Sequence, residues 1–237
     1  MTYVISDLHG ISLEDLQGLL GRGGFGEGDI LYVLGDAIDR GEHGIELLTW
    51  MASQENIRFI MGNHESLMLN CLFLFTGEKM TEAGELELSE DDVMHLYNWL
   101  GNGGRPSLEA FAELIQKDAK EALKVLNYIR KAPLYAQIEV DGRKFVLVHG
   151  GLDNFSPDRP LEDYKPEELV WARPDLATKY YDDVTVIFGH TPTLFYGEEY
   201  RGRPVYTDTW ICIDVGAAAK LPPLLLRLDD MRVFYSE

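Results

Sequence analysis

Cysteine is nearly absent from this chain. Two occur, Cys71 and Cys212, in unrelated contexts. That excludes a disulfide framework and a thiolate zinc site, and both read as buried thiols. Long apolar runs are missing too: the longest, Leu67 to Phe75, is broken by Asn70 and falls far short of a membrane span. Basic residues are scarce, 21 Lys and Arg against 40 Asp and Glu, for a formal charge of −19. Nucleic acid and anionic membrane both need basic surface, so neither is expected as a partner. The first residues already read as a core strand rather than a signal peptide, so the chain is expected to be cytoplasmic. No low-complexity linker or internal repeat divides it.

What is present suits a globular core. At 237 residues and 46% hydrophobic, one domain over 1–237 is expected, with room for an insertion. Most of the acids form a solvated face. A protein this acidic can hold phosphate only by neutralising its site locally, with metal ions or a few arginines.

Five apolar runs each end in a short cluster that carries Asp, Asn or His. Tyr3-Val4-Ile5 leads into Ser6-Asp7-Leu8-His9-Gly10. In an extended strand end, Asp7 and His9 share one side while Leu8 points to the core. Ser12 then caps a helix. Gly21 to Gly28 is glycine-rich but lacks the Lys-Ser/Thr of a phosphate loop, so it reads as a helix-to-strand connection. Asp29 to Leu34 is the next strand, as in a buried parallel sheet, and delivers Gly35-Asp36-Ala37-Ile38-Asp39-Arg40-Gly41. Here one carboxylate can bridge two cations, a second can orient a histidine, and Arg40 can take two phosphate oxygens in a fork. A helix over 42–51 follows. Ile57 to Met61 delivers Gly62-Asn63-His64-Glu65, in which Asn63 and His64 point different ways and Glu65 suits a helix first turn. A helix-like run, Ser66 to Phe75, comes next. His43 and His95 have no such setting and read as surface residues.

Between about 76 and 132 the strand pattern vanishes. Glu82 to Asp92 is acidic, with a capping-type Ser89. Val93 to Leu100 and Ser107 to Arg130 carry helical spacing, giving a helical insertion. Trp99 and the glycine-rich loop after it can either line a substrate groove or end a helix with the indole in the core. Beyond the insertion, Tyr135 to Val140 and Lys144 to Val148 flank an Asp-Gly turn as a hairpin and deliver His149-Gly150-Gly151. Pro166 to Trp171 reads as a short helix before Arg173. Val184 to Phe188 ends in Gly189-His190-Thr191. Trp210 to Val215, Leu224 to Leu228 and Val233 to Tyr235 are the remaining strands.

The set Asp7, His9, Asp36, Asn63, His149 and His190 offers oxygen and nitrogen donors without thiolate, which suits Mn, Fe or Zn. Six donors are too many for one catalytic ion with an open position. They suit two ions sharing Asp36, the usual clamp for in-line displacement at phosphorus.

Together these motifs resemble the calcineurin-like metallophosphoesterase superfamily, and within it the PPP-type serine/threonine phosphatases of bacteria and phage. The matching segments are Asp7 to Gly10, Gly35 to Gly41, Gly62 to Glu65, His149 to Gly151 and Gly189 to Thr191, in the family's order. The resemblance implies a four-layer α/β/β/α sandwich and a pair of divalent ions, manganese first, that activate water. Asp7, His9 and Asp36 would hold one ion, and Asp36, Asn63, His149 and His190 the other. His64 would be the general acid, oriented by Asp39, with Arg40 and Arg173 on the phosphate and Asn63 also facing substrate. Ser6 stands where the family usually has Gly. Ile213 to Ala217 resembles a late motif of bacterial members, but Ala218 to Pro223 replaces its glycine-rich continuation, so the loop closing one side of the groove is expected to differ.

The expected substrate is therefore a phosphorylated protein or peptide. The related symmetrical dinucleoside polyphosphate hydrolases typically lack the equivalents of Asp39 and Glu65, and this chain has both. A non-catalytic metal-binding module is the remaining alternative. It has no physical need for an acid pair beside the metals.

Overall fold

The computed structural model describes residues 1–81, 84–216 and 221–236. Its first strand shows why the early apolar run has no polar face. In β1 (Thr2–Ile5), Tyr3 and Ile5 belong to one apolar cluster and Val4 to another. Both faces of the strand are covered, so the period-2 alternation leaves nothing for water. α1 (Leu13–Gly23) follows, with Ser12 accepting from Asp15 N and Gly24 (φ 74°) closing its last turn. The glycine-rich stretch is thus partly helix and partly its cap, as a left-handed C-cap favours. β2 (Ile30–Val33), α2 (Gly44–Met51) and β3 (Ile57–Phe59) complete the first parallel unit.

The next helix starts earlier than its apolar residues suggest. α3 (Asn63–Asn70) contains three of the motif residues themselves, and the helix ends at Cys71 before α4 (Phe73–Thr76). α5 (Glu90–Gly101), α6 (Arg105–Lys117) and α7 (Ala119–Arg130) follow. The run expected as one helix over 107–130 is two, because Asp118 (φ −152°) leaves the helical region and its carboxylate caps Lys120 N and Glu121 N. Trp99, Phe111, Val125 and Ile129 share one apolar cluster with Leu47, Leu48 and Met51 of α2 and with Tyr3 and Ile5 of β1.

β4 (Tyr135–Val140) and β5 (Arg143–Val148) form the expected hairpin. α8 (Pro166–Val170), β6 (Val184–Phe188), β7 (Val205–Tyr206), β8 (Trp210–Cys212), β9 (Leu224–Arg227) and β10 (Arg232–Tyr235) complete the order. At two residues, β7 is too short to show any alternation.

The strands build two five-stranded sheets, ordered β10-β9-β1-β2-β3 and β4-β5-β6-β8-β7. In the first, the parallel run β1-β2-β3 ends at the β3 edge and β9 and β10 add antiparallel pairings beside β1; in the second, the parallel centre β5-β6-β8 has an antiparallel strand at each edge. Val4, Leu34, Leu224 and Leu226 of the first sheet meet Phe145, Leu147, Ile187 and Ile211 of the second in one apolar layer. The helices α1 to α7 cover the outside of the first sheet. The outside of the second is covered more thinly, by Leu161, Tyr164, Leu169 and Tyr180 from α8, a 3-10 turn and loops. This is the mixed α/β sandwich expected from sequence. Residues 217–220, which include the first half of the altered late loop, and residues 82–83 of the acidic stretch lie outside the described residues. Among those described, no helix is long and apolar enough to cross a membrane.

Candidate active site

Parallel strands end at the same edge of a sheet, so β1, β2, β3, β5 and β6 each carry their polar cluster to one place. The turns that follow are tight. Of the nine non-glycine residues with positive φ among those described, six are Asp7, His9, Asp36, Asp39, Arg40 and His190. Such backbone costs roughly 1–3 kcal/mol per residue and persists only where surroundings impose it. Asp7 (φ 53°) and His9 (φ 43°) therefore do not lie along an extended strand end, as the spacing suggested. β1 stops at Ile5, and successive left-handed residues turn both side chains inward. Gly62 and Gly189 permit close approach: a Cβ at the first would strike the Asp36 carboxylate and backbone, and at the second the Asp7 carboxylate.

Asp36 sits at the centre. Its Oδ2 lies 3.7 Å from His9 Nε2 and 3.8 Å from His64 Nε2, and its Oδ1 is 3.4 Å from His149 Nε2. Donor atoms of His9, Asp36 and His64 all fall within 4.8 Å of one another, as do those of Asp36, His149 and His190. Asn63 Oδ1 is 2.8 Å from His149 Nε2. Asp7 is in neither of these clusters; its carboxylate accepts the His190 N–H at 3.0 and 3.2 Å, which joins it to the second. His64 Nδ1 donates to Asp39 Oδ2 at 2.7 Å, with both side chains buried. Arg40 reaches His9 Nε2 at 2.9 Å and His64 Nε2 at 3.1 Å. Arg173 donates to His190 O at 3.4 Å and Thr191 Oγ1 at 3.3 Å. All ten residues singled out from sequence are thus linked in one contiguous group, with the two arginines exposed at its mouth.

The donor set fits divalent cations. His9 Nδ1 faces Ile38 O and His149 Nδ1 faces Leu34 O, so each ring is oriented with Nε2 toward Asp36. A backbone carbonyl fixing a ring in this way is the usual support for a metal-binding histidine. His190 Nε2 is buried with no hydrogen-bond partner among the described residues. Burial lowers the pKa of His9 to about 3 and of His190 to about 2, which keeps both neutral, as ligation requires. Burial opposes charge on His149 as well, yet the Asp36 carboxylate outweighs it and raises that pKa to about 10. A cation bound beside Asp36 would compete with the His149 proton. Burial likewise disfavours the His64 imidazolium, but Asp36 and the hydrogen bond to Asp39 prevail and raise its pKa.

Sequence reasoning missed the role of Glu65. A charge in a helix first turn is a sufficient local reason for a glutamate, but this one is fully buried. Its carboxylate accepts from Asp36 N and Ala37 N at 2.9 Å, Gly62 N at 3.1 Å and Ile38 N at 3.3 Å. It ties the turn after β2 to the turn after β3. Glu65→Ala leaves those buried N–H groups without acceptors and is expected to cost about 3 kcal/mol of stability. Urea unfolding measures this, and a loss under about 1 kcal/mol would mean that water replaces the carboxylate freely.

Comparison with known proteins agrees with this geometry. Residues 2–219 match the family described as calcineurin-like phosphoesterase. Serine/threonine-protein phosphatase 2 of Salmonella typhimurium is 25% identical over 195 residues, 79% of this chain and 78% of that protein. The symmetrical bis(5'-nucleosyl)-tetraphosphatase of Escherichia coli is 25% identical over 257 aligned positions, 89% of this chain and 88% of that enzyme. Its counterpart from Erwinia tasmaniensis is 37% identical over 102 residues, but this covers 42% of this chain and about a third, 36%, of that enzyme's length. Among solved structures, a cold-active protein tyrosine phosphatase superposes with a TM-score of 0.57 at 16% identity, covering 98% of this chain and 74% of that one. A protein serine/threonine phosphatase from Saccharomyces cerevisiae does so at 0.56 and 17%, covering 90% and 66%. At these identities the superpositions speak for the fold. From the family match and the fold together, the chain belongs to the calcineurin-like phosphoesterase family.

Proposed function

We propose that this chain is a phosphomonoesterase acting on phosphoserine and phosphothreonine of proteins or peptides, with phosphotyrosine also within its reach. One observation carries the reading: the buried Asp39–His64 pair, 2.7 Å apart, beside the histidine–carboxylate clusters. The oxygen that leaves Ser or Thr is a strongly basic alkoxide, and its departure needs a proton. His64 supplies it from Nε2, while Asp39 holds Nδ1–H and so fixes ring and tautomer.

Asp7, His9 and Asp36 would hold one divalent ion, and Asp36, Asn63, His149 and His190 the second. Manganese suits these oxygen and nitrogen donors, as iron and zinc do. When bound, the ions supply Lewis acidity to the phosphoryl oxygens and to the attacking water. The chain's own groups do the rest. Arg40 and Arg173 hold the non-bridging phosphate oxygens and absorb charge as it builds. The Asn63 amide, fixed by His149, faces the same space. Two buried free thiols fit a reducing, cytoplasmic compartment.

The second reading is hydrolysis of symmetrical dinucleoside polyphosphates, which the Escherichia coli relative's name describes over 89% of this chain. There the leaving group is itself a phosphate, a weak base that departs without an acid. The acid pair would then have little to do, which is why the monoester reading is preferred. Turnover by the manganese-loaded protein on phosphoserine, phosphothreonine and phosphotyrosine peptides beside diadenosine tetraphosphate tests the choice. Faster cleavage of the dinucleotide than of any phosphopeptide would reverse it.

A further inference from the structure

Asp39 and Arg40 are consecutive residues in the left-handed region, each with φ 69°. Such a pair does not hold itself. Asp39 N donates to Ser107 Oγ at 2.8 Å and Arg40 N to Gly103 O at 2.9 Å, both from the elbow joining α5 to α6. The elbow also reaches the carboxylate. Trp99 Nε1 donates to Asp39 Oδ2 at 3.0 Å and Oδ1 at 3.2 Å, the nearer being the oxygen that also accepts from His64 Nδ1. Trp99 is wholly buried and packs edge-on against Phe75. At Gly104 a Cβ would come within 2.5 Å of the indole Cδ1 and Nε1. The indole is wedged, and the carboxylate is held between its N–H and the imidazole.

We infer that the α5–α6 elbow positions the proton-donating pair, with Trp99 and Ser107 fixing Asp39 and, through it, His64. The segment between the sheets is then part of the apparatus for leaving-group departure. The inference rests on His64 acting as the acid. Trp99 touches neither substrate nor metal donors. It is a positioning residue, and its loss should matter only where a proton is needed.

Trp99→Phe keeps most of the ring volume and removes the N–H. Turnover of the manganese-loaded protein is measured on a phosphoserine peptide and on 4-nitrophenyl phosphate, with bound metal and melting temperature followed alongside. Turnover of the peptide should fall roughly 10- to 100-fold with KM changed less than about threefold, and that of the aryl ester less than about threefold. Added to His64→Ala, Trp99→Phe should produce no further loss, because the two act through one proton. Equal losses on the two esters, or the same further loss without His64, would overturn the inference. Ser107→Ala leaves the aromatic packing intact and should show the same split at smaller size, so a poorly folding Trp99 variant does not protect the idea. A readout independent of turnover separates this inference from the functional reading: the proton NMR signal of His64 Nδ1–H in metal-free protein. It should shift in Trp99→Phe. An unchanged signal refutes the positioning role. A shifted signal with no leaving-group dependence in His64→Ala retires the acid role and leaves the positioning intact.

Discussion

His64→Ala is expected to turn over a phosphoserine peptide roughly 10²- to 10⁴-fold more slowly than the parent. The imidazole is buried, its Nδ1–H is committed to Asp39 at 2.7 Å, and its Nε2 lies 3.1 Å from Arg40, the arginine placed on the phosphate. Burial opposes the charged ring, but Asp36 and Asp39 favour it and raise its pKa. Bound metal should be unchanged. An ester with a good aryl leaving group should suffer far less, since it departs as a weak base. Alanine also strands the Asp39 carboxylate, so His64→Gln, which keeps a hydrogen-bonding terminus, controls for damage to the fold. Equal losses on alkyl and aryl esters would remove the acid assignment, and full activity would remove His64 from the chemistry.

Asp36→Asn should be more severe, because one carboxylate stands in both donor clusters. The amide keeps the shape and discards the charge. Both ions should leave together, and turnover should fall to background at any workable metal concentration. The histidines offer a second readout. Asp36 is the largest influence raising the pKa of His149, so that pKa should drop markedly in the variant, visible in an NMR titration of metal-free protein. Elemental analysis returning two ions per chain would refute the sharing of Asp36, and one ion would restrict it to a single cluster.

That these residues gather in one place was more legible in the sequence than how each is held. Donor residues follow apolar strands at Asp7, Asp36, Asn63, His149 and His190, and parallel strands bring such endings to one edge whatever lies between. That inference needs only strand order. It does not say how each turn is held. Glu65 looked like an ordinary first-turn acid because its partners, the N–H groups of Asp36, Ala37 and Ile38, lie about 28 residues away in the chain. Trp99 offered the same difficulty: a tryptophan before a glycine loop suits a groove or a core equally well, and its bond to Asp39 spans 60 residues. The Asp7 and His9 backbone was misjudged for a different reason. Their spacing of two fits an extended strand and a left-handed turn alike, and the turn prevails because the loop after β2 packs against it, with His9 N donating to Asp36 O. Ser107 carried no signal beyond helix propensity.

The second donor cluster takes Asp36 from the first sheet's edge and His149 and His190 from the second's, while the apolar layer of Val4, Leu147 and Ile187 lies between the same two sheets. A cation gripped there would rivet the halves of the sandwich together. Ligation and cohesion become one equilibrium: chelators should make the protein easier to melt, and any looseness that lets the halves slide should show first as a leak of metal.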